Sequence, residues 1–220
     1  MVYPFSRITF FPLLRFFIRR TTGLEHVPLH GPYLIACKHV TALDGYFLAS
    51  VLVPRVNQKV HFIAHLKKWG RFWQEIVCRR WAAVIPFDVN NRAHCLGIAL
   101  EYLQSGKIVG IFPEGYLHEY YPDKKPRTGI ARLALRARVP IVPVGLKYNI
   151  TVRNDLSVLY QNRKAIINTF LNPHSLEIHI GQPFELKEYY GREITRGLLL
   201  EMTEIVMRKI DNLTEVNNIN

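Results

Sequence analysis

With 220 residues, 49% of them apolar and 21% charged, the chain carries enough apolar material for one sizeable core, and a second independent domain is not expected. Its formal net charge of +12 points to an anionic partner: nucleic acid, an anionic membrane, or an acidic or phosphorylated donor. Arg, Lys, Pro or a turn signal breaks every apolar stretch before the roughly 18 residues that a spanning helix needs, so no helix is expected to cross a bilayer. Cys37, Cys78 and Cys95 show no C-x-x-C spacing. They are expected as reduced, buried thiols in a cytoplasmic setting, with no disulfide and no zinc.

The first twenty residues hold Arg7, Arg15, Arg19 and Arg20 with no acid, among Phe5, Ile8, Phe10, Phe11, Leu13, Leu14, Phe16, Phe17 and Ile18. Such a basic, aromatic segment suits a lipid headgroup region, with rings at the acyl boundary and guanidinium groups at phosphates. Residues 1–22 are therefore expected as an amphipathic helical membrane-contact segment, kinked or divided at Pro12. A single domain is expected over 23–214, and a frayed tail over 215–220.

A turn-rich entry through Gly23-Leu24-Glu25 and Gly31-Pro32 precedes a short apolar strand, Tyr33 to Cys37. A helical pattern follows from Gly45 to Val53, then a strand from Lys59 to Ala64. A helix is expected from about Leu66 to Arg80, interleaving Lys67, Lys68, Arg71, Arg79 and Arg80 with Trp69, Phe72, Trp73 and Trp81, which fits nucleic-acid binding or a membrane-facing helix. Ala82 to Pro86 reads as a strand, and Asn90 or Asn91 as the cap of a helix stopped by Ser105-Gly106. Lys107 to Phe112 is a strand leading into Pro113-Glu114-Gly115. Gly129 to Arg138 is helical, and Val139 to Leu146 is a buried strand whose Pro140 and Pro143 favour an edge or a bulge. A possible strand over 165–170, an alternating strand from Leu176 to Ile180 and an amphipathic helix from about Ile194 to Leu213 complete the chain. Strands alternating with helices predict an α/β fold, a mixed, largely parallel central sheet flanked by helices.

In open α/β sheets, sites collect beyond the carboxyl ends of the strands. Three loops there carry polar residues: His39 with Asp44, the turn from Asp88 to Arg92, and Pro113-Glu114-Gly115. Residues five apart on a continuous helix point about 140° away from each other, so His39 and Asp44 make sense as partners only across a turn. A histidine with a free imidazole nitrogen suits removal of a proton from a hydroxyl, and a carboxylate on its other nitrogen fixes the tautomer and stabilises the imidazolium.

Together these motifs resemble the glycerolipid acyltransferases of the 1-acylglycerol-3-phosphate acyltransferase type. His39-Val40-Thr41-Ala42-Leu43-Asp44 matches their His-x4-Asp motif, Phe112-Pro113-Glu114-Gly115 is similar to their third motif, and Val139 to Gly145 to their fourth. The resemblance runs from about Gly23 to Leu146 and implies a glycerol-3-phosphate acyltransferase-like fold. The implied reaction is acyl transfer from acyl-CoA or an acyl carrier protein, as thioester co-substrate and with no cofactor or metal, to a lysolipid hydroxyl. His39 would be the base, Asp44 its support and Glu114 a holder of the acceptor. Backbone N–H groups near Gly115 or after His39 would face the oxyanion. The implied partners are the lipid, the donor and an anionic membrane surface rather than nucleic acid, with the protein peripheral on a cytoplasmic face. Two family arginines are replaced, by Val89 and by Leu117, and Lys38 stands where the family commonly has Asn. Arg92, Lys124, Lys125 or Arg127 would then meet an acceptor phosphate, with Lys38 beside the base, or else the acceptor has no terminal phosphate. A non-catalytic lipid-binding protein on the same scaffold is the alternative.

Overall fold

The computed structural model describes residues 2–65, 81–82, 84–115, 125–148 and 171–215. The helix predicted over 66–80, the strand over 165–170, Leu117, Lys124, Cys78 and the tail past Glu215 lie outside them. Seven strands form one sheet: β1 (Ile18–Thr22), β2 (Tyr33–Cys37), β3 (Val60–Ala64), β4 (Ile85–Pro86), β5 (Ile108–Ile111), β6 (Ile141–Tyr148) and β7 (Leu176–Ile180). Their order is β1-β7-β6-β2-β5-β3-β4, and every neighbouring pair is parallel except β6 with β7. The sheet is thus mixed and largely parallel, as expected. All five residues of β2 are buried, which is why that strand reads as an uninterrupted apolar run: both of its faces are covered.

Helices α1 (Pro4–Ile8), α2 (Phe10–Arg15) and α3 (Asp44–Val56) lie on one face, where Phe11, Leu14, Phe47, Leu48 and Leu52 pack with Tyr33, Ile35, Val142 and Val144. The other face carries α4 (Arg92–Gln104), α5 (Gly129–Ala137) and α6 (Arg196–Glu215), whose Cys95, Leu133, Met202 and Ile210 pack with Leu34, Val109 and Ile141. Asn91 caps α4 by accepting from the His94 N–H at 3.2 Å, and Gly106 follows its end at φ 76°. The chain leaving β2 enters α3 on one face, whereas the chain leaving β5 reaches α5 on the other. A crevice opens between such diverging connections, at the carboxyl ends of β2 and β5.

One expectation needs correction, and two readings of proline gain detail. The N-terminal segment is not a single helical unit: after α1 and α2, residues 18–22 form β1, an outer strand of the sheet. Exposed Arg19 hid this strand, and its partner Glu177 on β7, 3.4 Å away, appears only once the strands are paired. The break between α1 and α2 falls at Thr9, and Pro12 accounts for it. A proline ring clashes with the carbonyl four residues back, here that of Ile8, so one helix could not run through both. Of the edge or bulge expected from Pro140 and Pro143, the bulge is what forms, and β6 is an interior strand. Pro143 faces β7 across a bulge, where two residues lie between Ile141 and Val144 but three lie between their partners Phe184 and Ile180. The missing proline N–H falls at that interruption, while the Pro143 carbonyl accepts from Gly181 N–H at 2.9 Å.

Proline also shapes α3. Pro54 has no N–H to give the Ser50 carbonyl, and Arg15 of α2 takes that acceptor with two nitrogens, at 2.9 and 2.6 Å. Arg7 likewise donates to the Val53 carbonyl at 3.0 Å and to Asn57 Oδ1 at 2.7 Å. These two arginines, expected at lipid phosphates, dock the N-terminal helices onto α3. The outward side of the same helices exposes Phe5, Ile8, Phe10, Leu13 and Phe16. Among the described residues no helix is long and apolar enough to cross a membrane.

Candidate active site

Register places the site. Ala36 of β2 is level with Ile111 of β5, so the chains leave the two strands side by side. One turns through Lys38 and His39, the other through Phe112, Pro113 and Glu114. Glu114 Oε2 accepts from the His39 backbone N–H at 3.0 Å, which joins the two loops.

The turn after His39 brings Asp44, the first residue of α3, back against the imidazole. Asp44 Oδ2 lies 3.0 Å from His39 Nδ1. An ionised carboxylate can only accept, so Nδ1 carries the proton and Nε2 is left with its lone pair. Asp44 is fully buried, and a buried charge needs many partners. Its Oδ2 also accepts from Val40 N–H at 2.7 Å and Thr41 N–H at 2.9 Å, and its Oδ1 from the hydroxyls of Thr41 and Tyr148, both at 2.8 Å. The partnership expected across a turn is present, and the turn itself is folded around the carboxylate.

The His39 ring stacks on Phe112, centroids 4.2 Å apart, and Phe112 stacks in turn on Phe62 at 5.7 Å. Gly110 makes room for this column, since a Cβ there would stand 2.4 Å from two carbons of the Phe62 ring. With one face on Phe112 and Nδ1 on Asp44, the imidazole is 22% exposed and fixed in orientation.

Glu114 is buried, and desolvation pushes its carboxyl from the ordinary 4.5 up to about 7. The His39 N–H and Lys38 offset part of that rise, while Asp211 and Asp44 add to it. An unfolded chain loses this proton near its ordinary value, so between about pH 4.5 and 7 the folded form binds a proton that the unfolded form has released. Stability therefore falls as pH rises through that window, by up to about 3 kcal/mol. Glu114→Gln keeps an oxygen for the His39 N–H and is expected to flatten this decline. Urea unfolding of both proteins at about pH 5 and about pH 8 measures it, and an equal difference at the two pH values would reject the assignment.

The other residues singled out in the sequence divide. Gly115 sits at φ 68° with the Arg127 side chain crossing it, and a Cβ there would stand 2.5 Å from Arg127 Cδ, so Arg127 lies beside Glu114. The Arg127 N–H holds the same loop through the Pro113 carbonyl at 2.7 Å. Lys38 reaches Asp211 of α6, Nζ to Oδ1 3.4 Å, and so ties that helix to the site. Arg92 begins α4 after β4, a strand that stands three strand spacings, or about 14 Å, from β2 in the sheet. Among the N–H groups expected at an oxyanion, those of His39, Val40 and Thr41 go to carboxylates, that of Leu43 to Thr41 Oγ1, and that of Gly115 to the Phe112 carbonyl. Cys37 and Cys95 are buried, and burial with Asp44 and Glu114 nearby holds the Cys37 thiol well above its usual range. Sequence reasoning missed Tyr148, because it ended β6 at Leu146. It also passed over Phe112, although that residue directly precedes Pro113-Glu114.

Comparison with known proteins bears on the fold and the family. The solved structure of PlsC from Thermotoga maritima, a 1-acyl-sn-glycerophosphate acyltransferase, superposes with a TM-score of 0.58 over 96% of this chain and 82% of that one, at 16% identity. The 1-acyl-sn-glycerol-3-phosphate acyltransferase of Bacillus subtilis is 24% identical over 191 residues, 86% of this chain and 84% of its own length. Uncharacterized proteins of Mycobacterium bovis and Mycobacterium tuberculosis are 30% identical over 159 residues, 61% of this chain; the match spans only 40% of their length. Residues 18–147, from the start of β1 to the penultimate residue of β6, a span that contains His39, Asp44 and Glu114, match the Acyltransferase family, to which this chain belongs.

Proposed function

We propose that the protein transfers an acyl group from a thioester, carried by coenzyme A or an acyl carrier protein, to a hydroxyl of a lysolipid. The observation that carries this reading is the His39 imidazole, held at Nδ1 by a buried carboxylate and at its ring face by Phe112, with Nε2 left as a base. Nε2 takes the proton of the acceptor hydroxyl as its oxygen attacks the thioester carbonyl carbon. The C–S bond then breaks, and the departing thiolate takes the proton back from the imidazolium. No acyl-enzyme is required. Asp44 stabilises the transient imidazolium, and Glu114 fixes the backbone of the base and faces the acceptor side.

For the acceptor, Arg127 beside Gly115 is the residue best placed to meet an anionic headgroup, with a guanidinium suited to bidentate phosphate contact. The exposed apolar ridge of α1 and α2 and the net charge of +12 support a protein resting on an anionic membrane surface. The test is incubation with lysolipids, with and without a terminal phosphate, in neutral and anionic vesicles together with each thioester donor. A diacyl product read by mass, formed faster on anionic vesicles, is expected. Release of free fatty acid alone would replace transfer by hydrolysis, and no turnover of any pair would leave a lipid-binding protein.

A further inference from the structure

Strand β6 outruns β2. Cys37, the last residue of β2, is level with Val144, and β6 continues to Tyr148. Four more residues carry the strand about 13 Å further, alongside the turn that closes from His39 to Asp44. The Tyr148 hydroxyl there donates to Asp44 Oδ1 at 2.8 Å and lies 3.1 Å from Thr41 Oγ1. Each hydroxyl has one proton. Thr41 Oγ1 already accepts from the Leu43 N–H at 3.2 Å, so directing both hydroxyl protons at the carboxylate gives the fullest set of bonds to a buried charge. Asp44 then has five donors, of which the imidazole is one.

We propose that Tyr148 is a positioning residue of the His39 and Asp44 pair: its hydrogen bond to Asp44 Oδ1 limits the carboxylate's hold on the imidazolium, and so sets the pH range in which Nε2 is a free base. Carboxylate charge drawn toward the phenol is charge withheld from His39, because both bonds draw on one small anion in a water-poor site. Among the described residues, the other titratable or charged groups around the pair are Cys37 and Lys38 at the end of β2, Glu114 from the turn after β5, Arg127 against Gly115 and Asp211 from α6. Lys38 is paired with Asp211, and the Cys37 thiol stays protonated. Burial and Asp44 likewise keep the Tyr148 phenol protonated, so it remains a donor throughout the working range. Glu114 titrates in that range, and an experiment must separate its effect from that of Tyr148.

The test is an NMR titration of the His39 imidazole in the full chain, with labelled histidine and His39→Asn to assign the signal, in the wild-type and Glu114→Gln backgrounds. Tyr148→Phe is expected to raise the midpoint by about half a pH unit or more in both. 3-Fluorotyrosine at position 148, a stronger donor of nearly the same shape, is expected to lower it, and this second substitution decides the matter if Tyr148→Phe fails to fold. A midpoint unmoved by either change overturns the proposal. For the kinetic consequence the inference rests on the acyl-transfer reading: the acid limb of kcat/KM should move with the midpoint while KM for the thioester stays the same. If the midpoint moves but no variant transfers an acyl group, the role of Tyr148 stands and the acyl-transfer reading fails.

Discussion

His39→Ala is expected to lower kcat for acyl transfer by about 10²- to 10⁴-fold, the range over which a positioned general base acts, with KM for both substrates little changed. The fold should survive this truncation. Asp44 Oδ2 retains the N–H groups of Val40 and Thr41, Oδ1 retains both hydroxyls, and Glu114 is bonded to the His39 backbone rather than its ring. What is lost is the stacking on Phe112, a contact worth about 1 kcal/mol. Steady-state kinetics with a thermal melt of the same sample checks both halves. Full activity in the variant would remove His39 from the reaction, and a collapsed melt would show that the imidazole is structural.

The second large effect separates two duties of Asp44. In Asp44→Asn the amide oxygen can stand where Oδ2 stood, accepting from Val40, Thr41 and the His39 Nδ1–H, while its NH₂ faces two hydroxyls that can rotate to accept. Such a protein should fold, yet nothing anionic would remain to stabilise the imidazolium, and a loss of about 10³-fold or more in kcat is expected. Asp44→Ala leaves two backbone N–H groups and two hydroxyls without their acceptor in a buried site, and should cost about 3–5 kcal/mol of stability besides the activity. Urea unfolding of the two variants beside their kinetics distinguishes the duties. An asparagine variant with near wild-type turnover would deny the charge its role, and an alanine variant as stable as the asparagine one would deny the turn its dependence on the carboxylate.

Much of this site could be read from residue spacing. A separation of five excludes a shared helical face, so His39 and Asp44 had to meet across a turn, and α3 begins at Asp44 itself. The apolar run of β2, the Asn91 cap and the Ser105-Gly106 stop were equally legible, because each depends on neighbours along the chain. What escaped depends on neighbours across it. Arg19 and Arg20 look like a headgroup-seeking pair until β7 lies beside them, and Pro140 and Pro143 leave edge and bulge equally open until the opposite strand is known. Tyr148 lies beyond the last apolar residue of its strand, and no periodicity says that its hydroxyl ends at a carboxylate over 100 positions earlier in the chain.

The carbonyl that Pro54 leaves to Arg15 ties two distant parts of the molecule to one rod. Helix α3 has 13 residues and is therefore about 20 Å long, with Asp44 at its first turn and the Arg15 and Arg7 acceptors, Ser50 and Val53, along its second half. Helices α1 and α2 are bolted to that half, so their outward ridge of Phe5, Ile8 and Leu13 cannot tilt without taking the helix and its carboxylate along. Whatever surface the ridge rests on is thus held at a set height and angle from the imidazole. If a membrane supports that ridge, the length of the rod sets the distance from it to the hydroxyl that His39 is proposed to deprotonate.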